Sequence, residues 1–238
     1  MDLVIFDIDG TLTDTNEVDE TGFALAVTRE FELTGFSTDW SNYEHCVDRF
    51  IVRELVQRHA NRAVTDEELE RFQQTFLRIL RAAYAHAPEK FEQITGAAAL
   101  LAHLRADANQ AIVLATGGYR LTACFKLERA GLEVADLPCA CADGGLSREE
   151  IIGIALARAR AAYKVDQFAR IVSVGDGLWD VRTARNLNLP FVGVGRGAHA
   201  ERLRAAGAHA VLPDFADVDA VLQVLASARV PASTPTTT

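Results

Sequence analysis

Residues 3–14 read Leu-Val-Ile-Phe-Asp-Ile-Asp-Gly-Thr-Leu-Thr-Asp, and this stretch decides the fold of the chain. Its first four residues are apolar and predict a buried strand. The strand ends in two carboxylates, Asp7 and Asp9, and Gly10 turns the chain directly after them. Ordinary polar residues at a strand end are one interpretation. However, two like charges there repel each other and resist desolvation, so the pair favours a bound cation, or a nucleophile beside a proton donor.

The composition of the chain is typical of a folded globular protein. Its 238 residues are 49% hydrophobic and 24% charged, and the net charge of −9 argues against general nucleic-acid binding. No apolar run approaches the ~20 residues of a membrane-spanning helix. Met1-Asp2 leads into the first strand without a basic leader. We therefore expect a cytoplasmic protein with neither a nucleic-acid partner nor a membrane segment.

Between about Glu20 and Lys90 the apolar residues follow helical spacing. They recur every three or four positions in three successive segments, from Phe23 to Leu33, from Val47 to Val56 and from Leu69 to Tyr84. No strand pattern separates these segments. The pattern predicts an all-helical domain inserted after the first strand, over residues 16–90.

After the helical segment, short β-branched runs alternate with helical patterns. Such alternation predicts a Rossmann-like, doubly wound parallel α/β sheet. The core would consist of residues 1–15 and 91–230, and the Pro/Ser/Thr-rich tail, residues 231–238, is predicted to be disordered. The later predicted strands cover residues 111–115, 137–142, 170–174, 191–194 and 210–212.

Polar residues follow two further strands of this predicted sheet. Thr116-Gly117-Gly118 comes after one of them, and Asp176 and Asp180 come after another. Ligands of parallel sheets bind beyond the carboxyl ends of the strands, so these groups and the first two aspartates can meet at one site. Carboxylate oxygens suit Mg²⁺, which would let an anionic nucleophile approach a phosphate. The Thr116 hydroxyl and the amides of Gly117 and Gly118 would donate to phosphate oxygens.

The three motifs resemble those of the haloacid dehalogenase superfamily, the aspartate-nucleophile phosphatases. The string Asp-x-Asp-Gly-Thr-Leu-Thr-Asp from Asp7 resembles the first motif, and Thr116 after Ile-Val-Leu-Ala resembles the second. The string Gly-Asp-x-x-x-Asp that ends at Asp180 resembles the fourth. The helical segment lies between the first and second motifs, where many members carry a helical cap. In architecture, the phosphoglycolate-type phosphatases are the nearest resemblance.

The resemblance implies a role for each of these side chains. Asp7 would be the nucleophile that forms an aspartyl-phosphate. Asp9 would protonate the leaving oxygen and then activate the hydrolytic water. Asp7, the backbone carbonyl of Asp9, and Asp176 would bind Mg²⁺, with Asp180 as a further ligand or a support. Thr116 would bind the phosphate.

The third motif departs from the family pattern, which usually has a lysine there. Lys126 falls in the middle of the helix after Thr116, and Lys164 falls at a helix end. Arg148 lies in the first turn of a helix that opens with a capping box, where the lysine would be expected. Its guanidinium could pair with carboxylate or phosphate oxygens. The alternative is that Arg148 is solvent-exposed and the role is unfilled or supplied by another residue.

Residues of the inserted segment are candidates for substrate binding. They combine aromatic and charged side chains and could line a pocket over the phosphate: Asp39, Trp40, Tyr43, His45, Asp48 and Arg49. They could equally be packing residues and a solvated face. Arg120, just after the Thr-Gly-Gly turn, either faces the substrate or lies on the surface at a helix start.

The sequence therefore predicts Mg²⁺-dependent hydrolysis of a small phosphate monoester through an aspartyl-phosphate. Two alternatives remain open: a phosphomutase of the same superfamily, and a non-catalytic protein that binds a phosphorylated ligand. The expected partner is a small phosphorylated metabolite, and the expected state is a monomer or homodimer.

Overall fold

The structure is a computed structural model that describes residues 1–233, the side chain of Ser41 excepted. Within this range a single parallel sheet forms the centre of the molecule. Its strands are β1 (Asp2–Phe6), β2 (Gln110–Ala115), β3 (Cys139–Ala140), β4 (Ile171–Gly175), β5 (Phe191–Val194) and β6 (Val211–Leu212). They lie in the order β3-β2-β1-β4-β5-β6, and every pairing is parallel. The predicted doubly wound α/β fold is confirmed.

Helices cover the sheet and form the segment inserted between β1 and β2. The inserted helices are α1 (Asn16–Phe31), α2 (Asp48–Ala60) and α3 (Asp66–His86). The others are α4 (Ala97–Ala106), α5 (Arg120–Arg129), α6 (Arg148–Tyr163), α7 (Leu178–Asn186), α8 (Gly197–Ala205) and α9 (Val218–Ser227). Short 3₁₀ turns occupy Trp40–Asn42 and Pro88–Phe91. No helix of the described residues is long and apolar enough to cross a membrane.

The central strand β1 is buried on both faces. Leu3 and Ile5 pack in one apolar cluster with residues of α6 and of the inserted helices. Val4 and Phe6 pack in a second cluster, on the opposite face, with residues of α4, α5 and α9. A strand covered on both faces reads as a continuous apolar run, which is why β1 was recognisable in the sequence.

The register of β1 aligns the strand ends that carry the site. Phe6 lies opposite Leu114 of β2 and Val174 of β4. Asp7 follows Phe6 directly, and Thr116 and Asp176 each come two residues after the paired position. The three side chains therefore leave the sheet at the same edge.

The three helices predicted between the first and second strands are confirmed. A capping box starts α3, where Thr65 accepts from the amide of Glu68 at 3.2 Å and its own amide donates to the Glu68 carboxylate at 2.9 Å. The rings of Phe23, Phe72 and Phe76 pack together with centroids 5.2–6.0 Å apart. The division of the chain into a core and a separate cap over residues 16–90 stays a prediction.

The predicted disordered tail is described only up to Ser233. In this part Pro231 is buried, and the amide of Ala232 donates to the carbonyl of Gly207 at 2.9 Å. The packed chain therefore extends through Ala232. Residues 234–238, on which the rest of that prediction falls, lie outside the described residues.

Candidate active site

A cavity of about 280 Å³ opens at the carboxyl ends of β1, β2 and β4. The polar residues expected after β1 and β2, with Asp176 after β4, converge on it because these strand ends lie at one edge of the sheet. The core contributes Asp7, Asp9, Thr116, Gly117, Gly118, Arg148, Asp176, Trp179, His199 and Arg202. The segment between β1 and β2 contributes Asn16, Asp19, Glu20, Phe23, Trp40, Cys46, Asp48 and Ile51.

Asp7 and Asp176 lie on the floor of the cavity, and the buried Asp180 lies beside them. Asp7, Asp176 and Asp180 each offer an oxygen within 4.8 Å of the others. Burial, helped by the charges of Asp180 and Asp9, raises the pKa of Asp7 to about 7, although Arg148 opposes the shift. Burial and the charge of Asp7 also raise the pKa of Asp176 well above its ordinary value. Three hard oxygen donors with Arg148 as their cationic neighbour leave negative charge uncompensated, which fits a divalent cation.

Hydrogen bonds hold the two aspartates that follow β4. Asn16 Nδ2 donates to Asp176 Oδ2 at 2.7 Å, and His199 Nε2 donates to the Asp176 carbonyl at 2.8 Å. The amide of Gly177 donates to Asp180 Oδ2 at 2.9 Å. Gly10 has φ +72°, and a Cβ there would overlap the Asp176 carboxylate. The glycine after Asp-x-Asp is therefore required both by the turn and by the approach of Asp176.

Arg148 lies against the predicted nucleophile. Its Nη1 donates to Asp7 Oδ1 at 2.9 Å, and its Nε donates to the carbonyl of Cys46 at 2.9 Å. The same Nη1 lies 3.6 Å from Asp180 Oδ1. Only 11% of the Arg148 side chain is exposed, so the alternative of a solvent-exposed arginine is wrong. A Cβ on Gly117 would come within 2.8 Å of the guanidinium, so this glycine makes room for Arg148.

The first turn of α6 sets the direction of Arg148. Ser147 caps the helix by accepting from the amide of Glu150 at 3.2 Å. The Glu150 side chain accepts from the amide of Leu146 at 2.8 Å, so the predicted capping box closes one residue earlier than its usual form. The cap fixes where α6 begins, and with it the residue that faces Asp7.

Asp9 is engaged on both carboxylate oxygens. Thr15 Oγ1 donates to Oδ1 at 2.6 Å, and Lys126 Nζ donates to Oδ2 at 2.6 Å. Lys126 also pairs with Asp19, and none of its side chain is exposed. Burial lowers the pKa of Lys126, but the charges of Asp19 and Asp9 outweigh this effect and raise it overall. Lys126 is therefore a permanent cation inside the site.

Lys126 was not among the residues expected to form the site. The buried positions of α5 are Thr122, Ala123, Lys126 and Leu127, which lie on one face of the helix. A lysine on an apolar helical face is rarely buried without an ionic partner. That mismatch was visible in the sequence and could have marked Lys126 as a site residue.

The turn after β2 is held by its own contacts and by one from the inserted segment. The amide of Thr116 donates to the carbonyl of Ala140 at 3.0 Å, which ties the turn to β3. The amide of Gly118 donates to Thr116 Oγ1 at 3.1 Å, whereas we expected it to face a phosphate. The amide of Asp48 donates to the Gly117 carbonyl at 2.8 Å. The Gly118 amide is therefore used inside the turn, although Gly118 lines the cavity together with Thr116 and Gly117.

Of the aromatic residues predicted to bind substrate, Trp40 lines the cavity and Tyr43 does not. Tyr43 is buried, and its hydroxyl donates to the carbonyl of Ser37 at 2.7 Å. Its ring packs 5.9 Å from that of Trp40. Tyr43 is thus a packing residue behind Trp40, which corrects the prediction.

His45, Arg49 and Arg120 also lie outside the cavity lining among the described residues. The His45 ring packs edge-on against Phe50, with centroids 4.8 Å apart. Arg49 Nη1 donates to the carbonyl of Asp143 at 3.1 Å. Arg120 is exposed, and its amide donates to the Asp143 carboxylate at 2.8 Å. These three predicted contacts are corrected: His45 packs on α2, Arg49 is bound to the loop that contains Asp143, and Arg120 is exposed.

The sequence matches the family model of the haloacid dehalogenase-like hydrolases over residues 1–188. A search of curated proteins finds no match.

Solved structures with the same architecture include a hydrolase from Pseudomonas syringae, at 23% identity and TM-score 0.68 over 92% of this chain and 97% of that one. A β-phosphoglucomutase from Clostridium difficile shows 16% identity and TM-score 0.64 over 94% and 97% of the two chains. A predicted phosphoglycolate phosphatase from Haemophilus somnus shows 16% identity and TM-score 0.57 over 93% and 97%. At such low identities these likenesses show a shared fold.

Proposed function

This chain belongs to the haloacid dehalogenase-like hydrolase family, and we propose that it hydrolyses a small phosphate monoester through an aspartyl-phosphate on Asp7. The contact between Arg148 and Asp7, 2.9 Å long beside two further buried aspartates, is the observation that carries the proposal. With a metal ion held by these aspartates, two positive charges would lie at one carboxylate, as attack on an anionic phosphate requires. The positive charge of the third motif is thereby supplied by Arg148.

The donor set at the cavity floor fits Mg²⁺. Asp7 and Asp176, with the backbone carbonyl of Asp9, would hold the ion, and Asp180 would be a ligand or a support for Arg148. When bound, the ion would neutralise the carboxylates and polarise the phosphate oxygens.

The first half of the reaction uses Asp7 and Asp9. Arg148 holds Asp7 Oδ1, which leaves the other oxygen to attack phosphorus. The bond between phosphorus and the ester oxygen breaks, and that oxygen takes a proton from Asp9. Thr116, at the rim of the cavity, would donate its hydroxyl to a phosphate oxygen.

The second half returns the enzyme to its starting state. Asp9, now a carboxylate, takes a proton from water as the water oxygen attacks phosphorus, and the bond to Asp7 breaks to release inorganic phosphate. Lys126 and Thr15 each donate to one oxygen of Asp9 and so fix the orientation of its carboxyl group. Both proton transfers, to the leaving oxygen and from water, require Asp9 to be held in this way.

A phosphomutase is the second candidate, favoured by the shared fold with the C. difficile β-phosphoglucomutase. It would pass the phosphoryl group back to a sugar, need a sugar bisphosphate as activator, and release little phosphate. The non-catalytic alternative loses support because Arg148 occupies the third-motif position against Asp7.

The test is phosphate release from a panel of small phosphate monoesters, with Mg²⁺ or with a chelator. We expect Mg²⁺-dependent release from at least one ester. A sugar monophosphate that is isomerised only when a sugar bisphosphate is added, with little phosphate released, would instead establish the mutase. A folded, Mg²⁺-binding protein that acts on no ester in either assay would contradict both enzymatic proposals.

We expect Mg²⁺ to raise the melting temperature (Tm) more at pH 8 than at pH 5.5. The pKa of Asp7 is about 7 in the metal-free fold against an ordinary 3.8, so between these values the folded state binds more protons than the unfolded chain. Metal-free stability therefore falls as pH rises through this window. Mg²⁺ needs the charged carboxylates, so at pH 8 it offsets their repulsion without displacing protons.

Differential scanning fluorimetry with and without Mg²⁺ measures this difference. The Asp176→Asn variant, which removes one predicted ligand, should lose most of the Mg²⁺ shift. Equal shifts at the two pH values would show that Mg²⁺ does not bind the buried carboxylates.

A further inference from the structure

The wall of the cavity around Asp9 defines where the alcohol part of a substrate must lie. Asp9 can protonate the leaving oxygen only if that oxygen lies beside it, so the released alcohol extends from that point. Asp19, Glu20 and Asp48 come from α1 and α2 and line the same cavity. The leaving group therefore faces a wall with three further carboxyl groups.

Lys126 compensates only part of these charges. It lies behind the wall, fully buried, and is held by Asp9 at 2.6 Å and by Asp19. Asp48 interacts electrostatically with Asp19, Lys126 and Asp9, and burial and the charge of Asp19 raise its pKa. Its Oδ2 accepts a long hydrogen bond of 3.3 Å from the amide of Tyr119. The single ammonium group of Lys126 is thus shared by three carboxyl groups, those of Asp9, Asp19 and Asp48, and Glu20 adds a fourth carboxyl group to the cavity wall.

The basic residues of the described cavity lining lie on other sides. Arg148 is bound to Asp7 and to the Cys46 carbonyl. His199 donates to the Asp176 carbonyl, and Arg202 Nη2 lies 3.2 Å from His199 Nδ1, so both belong to the side of the predicted ion site. The basic side chains of the described lining therefore lie at the phosphate end, together with the aspartates of the predicted ion site, whereas the alcohol end carries carboxyl groups without a basic lining residue.

Aromatic rings adjoin the acidic wall. Phe23 and Trp40 both line the cavity, and their ring centroids lie 5.3 Å apart at an interplanar angle of 76°. A tryptophan face attracts ammonium groups, and so do carboxylates. The two kinds of surface occur here together, in a cavity of about 280 Å³ that admits only a small molecule.

We propose that the substrate is the phosphate monoester of a small amino alcohol, whose protonated amine binds between Asp19, Glu20, Asp48 and the Trp40 ring. The inference rests on the proposed phosphatase function and names its substrate class. A carboxylate at this position, as in phosphoglycolate, would be repelled by the wall. A neutral polyol would hydrogen-bond to the carboxyl groups but would leave their charge uncompensated.

Three two-carbon esters that differ in one group test this directly: phosphoethanolamine, 2-hydroxyethyl phosphate and phosphoglycolate. We expect kcat/KM for the amine to exceed that for the hydroxyl by about tenfold and that for the carboxylate by about a hundredfold. The hydroxyl lacks the attraction between the ammonium group and the acidic wall, and the carboxylate is in addition repelled by the wall. Turnover with equal values, or with the carboxylate preferred, would overturn the inference and leave the phosphatase proposal intact.

Variants of the wall give the second arm. Glu20→Gln and Asp48→Asn should each reduce the preference for the amine over the hydroxyl several-fold. Glu17→Gln is the matched control, because Glu17 is on the same helix as Glu20 but is exposed and pairs with Lys90 at 2.8 Å. An unchanged preference in both wall variants would contradict the proposed amine position.

Binding measured without turnover separates the two proposals. Calorimetric titration with Mg²⁺ present would compare 3-aminopropylphosphonate with 3-phosphonopropionate, which cannot be hydrolysed as esters. Tighter binding of the aminophosphonate by about tenfold or more supports the substrate class even if no ester is hydrolysed. Equal or weaker binding of the aminophosphonate overturns it.

Discussion

The Asp7→Asn variant is expected to lose phosphate release by roughly 10⁴- to 10⁶-fold, as when the nucleophile of a covalent mechanism is removed. An amide nitrogen or oxygen at this position does not form the phosphoenzyme at a comparable rate. The fold should survive, because Asp7 is one of three crowded buried carboxylates and its pKa of about 7 shows that the fold disfavours its charge. Steady-state phosphate release and Tm, measured on the same samples, check both expectations.

Asp14→Asn is the matched control for this variant. Asp14 is exposed and lies in the same opening segment, and the structure gives its side chain no place in the cavity lining. Its substitution should leave kcat and Tm at wild-type values. Retention of more than a few per cent of wild-type activity in Asp7→Asn would exclude Asp7 as the nucleophile.

The Lys126→Met variant is expected to lose both stability and activity. Methionine fills a similar volume but leaves Asp9 and Asp19 without their shared cation, and Lys126 is fully buried. Breaking a buried ion pair on one side costs about 3–5 kcal/mol, which corresponds to a Tm lower by roughly 10 °C for a chain of this size. Because Asp9 then also loses a partner that positions it, kcat should fall about 10²-fold.

A second substitution separates charge from packing in this region. Lys126→Met combined with Asp19→Asn removes one uncompensated carboxylate and should recover much of the Tm but not the activity. Lys90→Met is the control on an exposed lysine, whose pair with Glu17 is open to solvent, and it should leave the Tm unchanged. A wild-type Tm in Lys126→Met would show that the buried network does not stabilise the fold.

Two cations contact the aspartates of the first motif, and the position of only one of them could be anticipated from the sequence. Arg148 and Lys126 are both cations beside first-motif aspartates, at Asp7 and Asp9 respectively. Arg148 could be anticipated because a helix cap fixes its position locally. The ionic partner of Lys126 could not be identified from the sequence, because Asp19 is 107 positions away and the two side chains meet only when α1 packs near α5.

The substrate wall was the least predictable part of the site. Trp40 was expected and lines the cavity, whereas Tyr43, only three residues later, turns inward to the Ser37 carbonyl. Asp48 and its neighbour Arg49 were both candidates, and of the two Asp48 lines the cavity. Trp40 lies in a short 3₁₀ turn and Asp48 is the first residue of α2, so neither has preceding helical turns whose periodicity would show which adjacent side chain faces the cavity.

The sequence by itself determined the sheet and the ends of its strands. A buried parallel strand must be apolar throughout and ends where polar residues begin, so the positions of Asp7, Thr116 and Asp176 followed from local pattern alone. Only the tertiary structure decided the charge around Asp9. Coulomb forces and desolvation act between groups that are near in space, and the helices that bring Asp19, Asp48 and Lys126 together are distant in the chain.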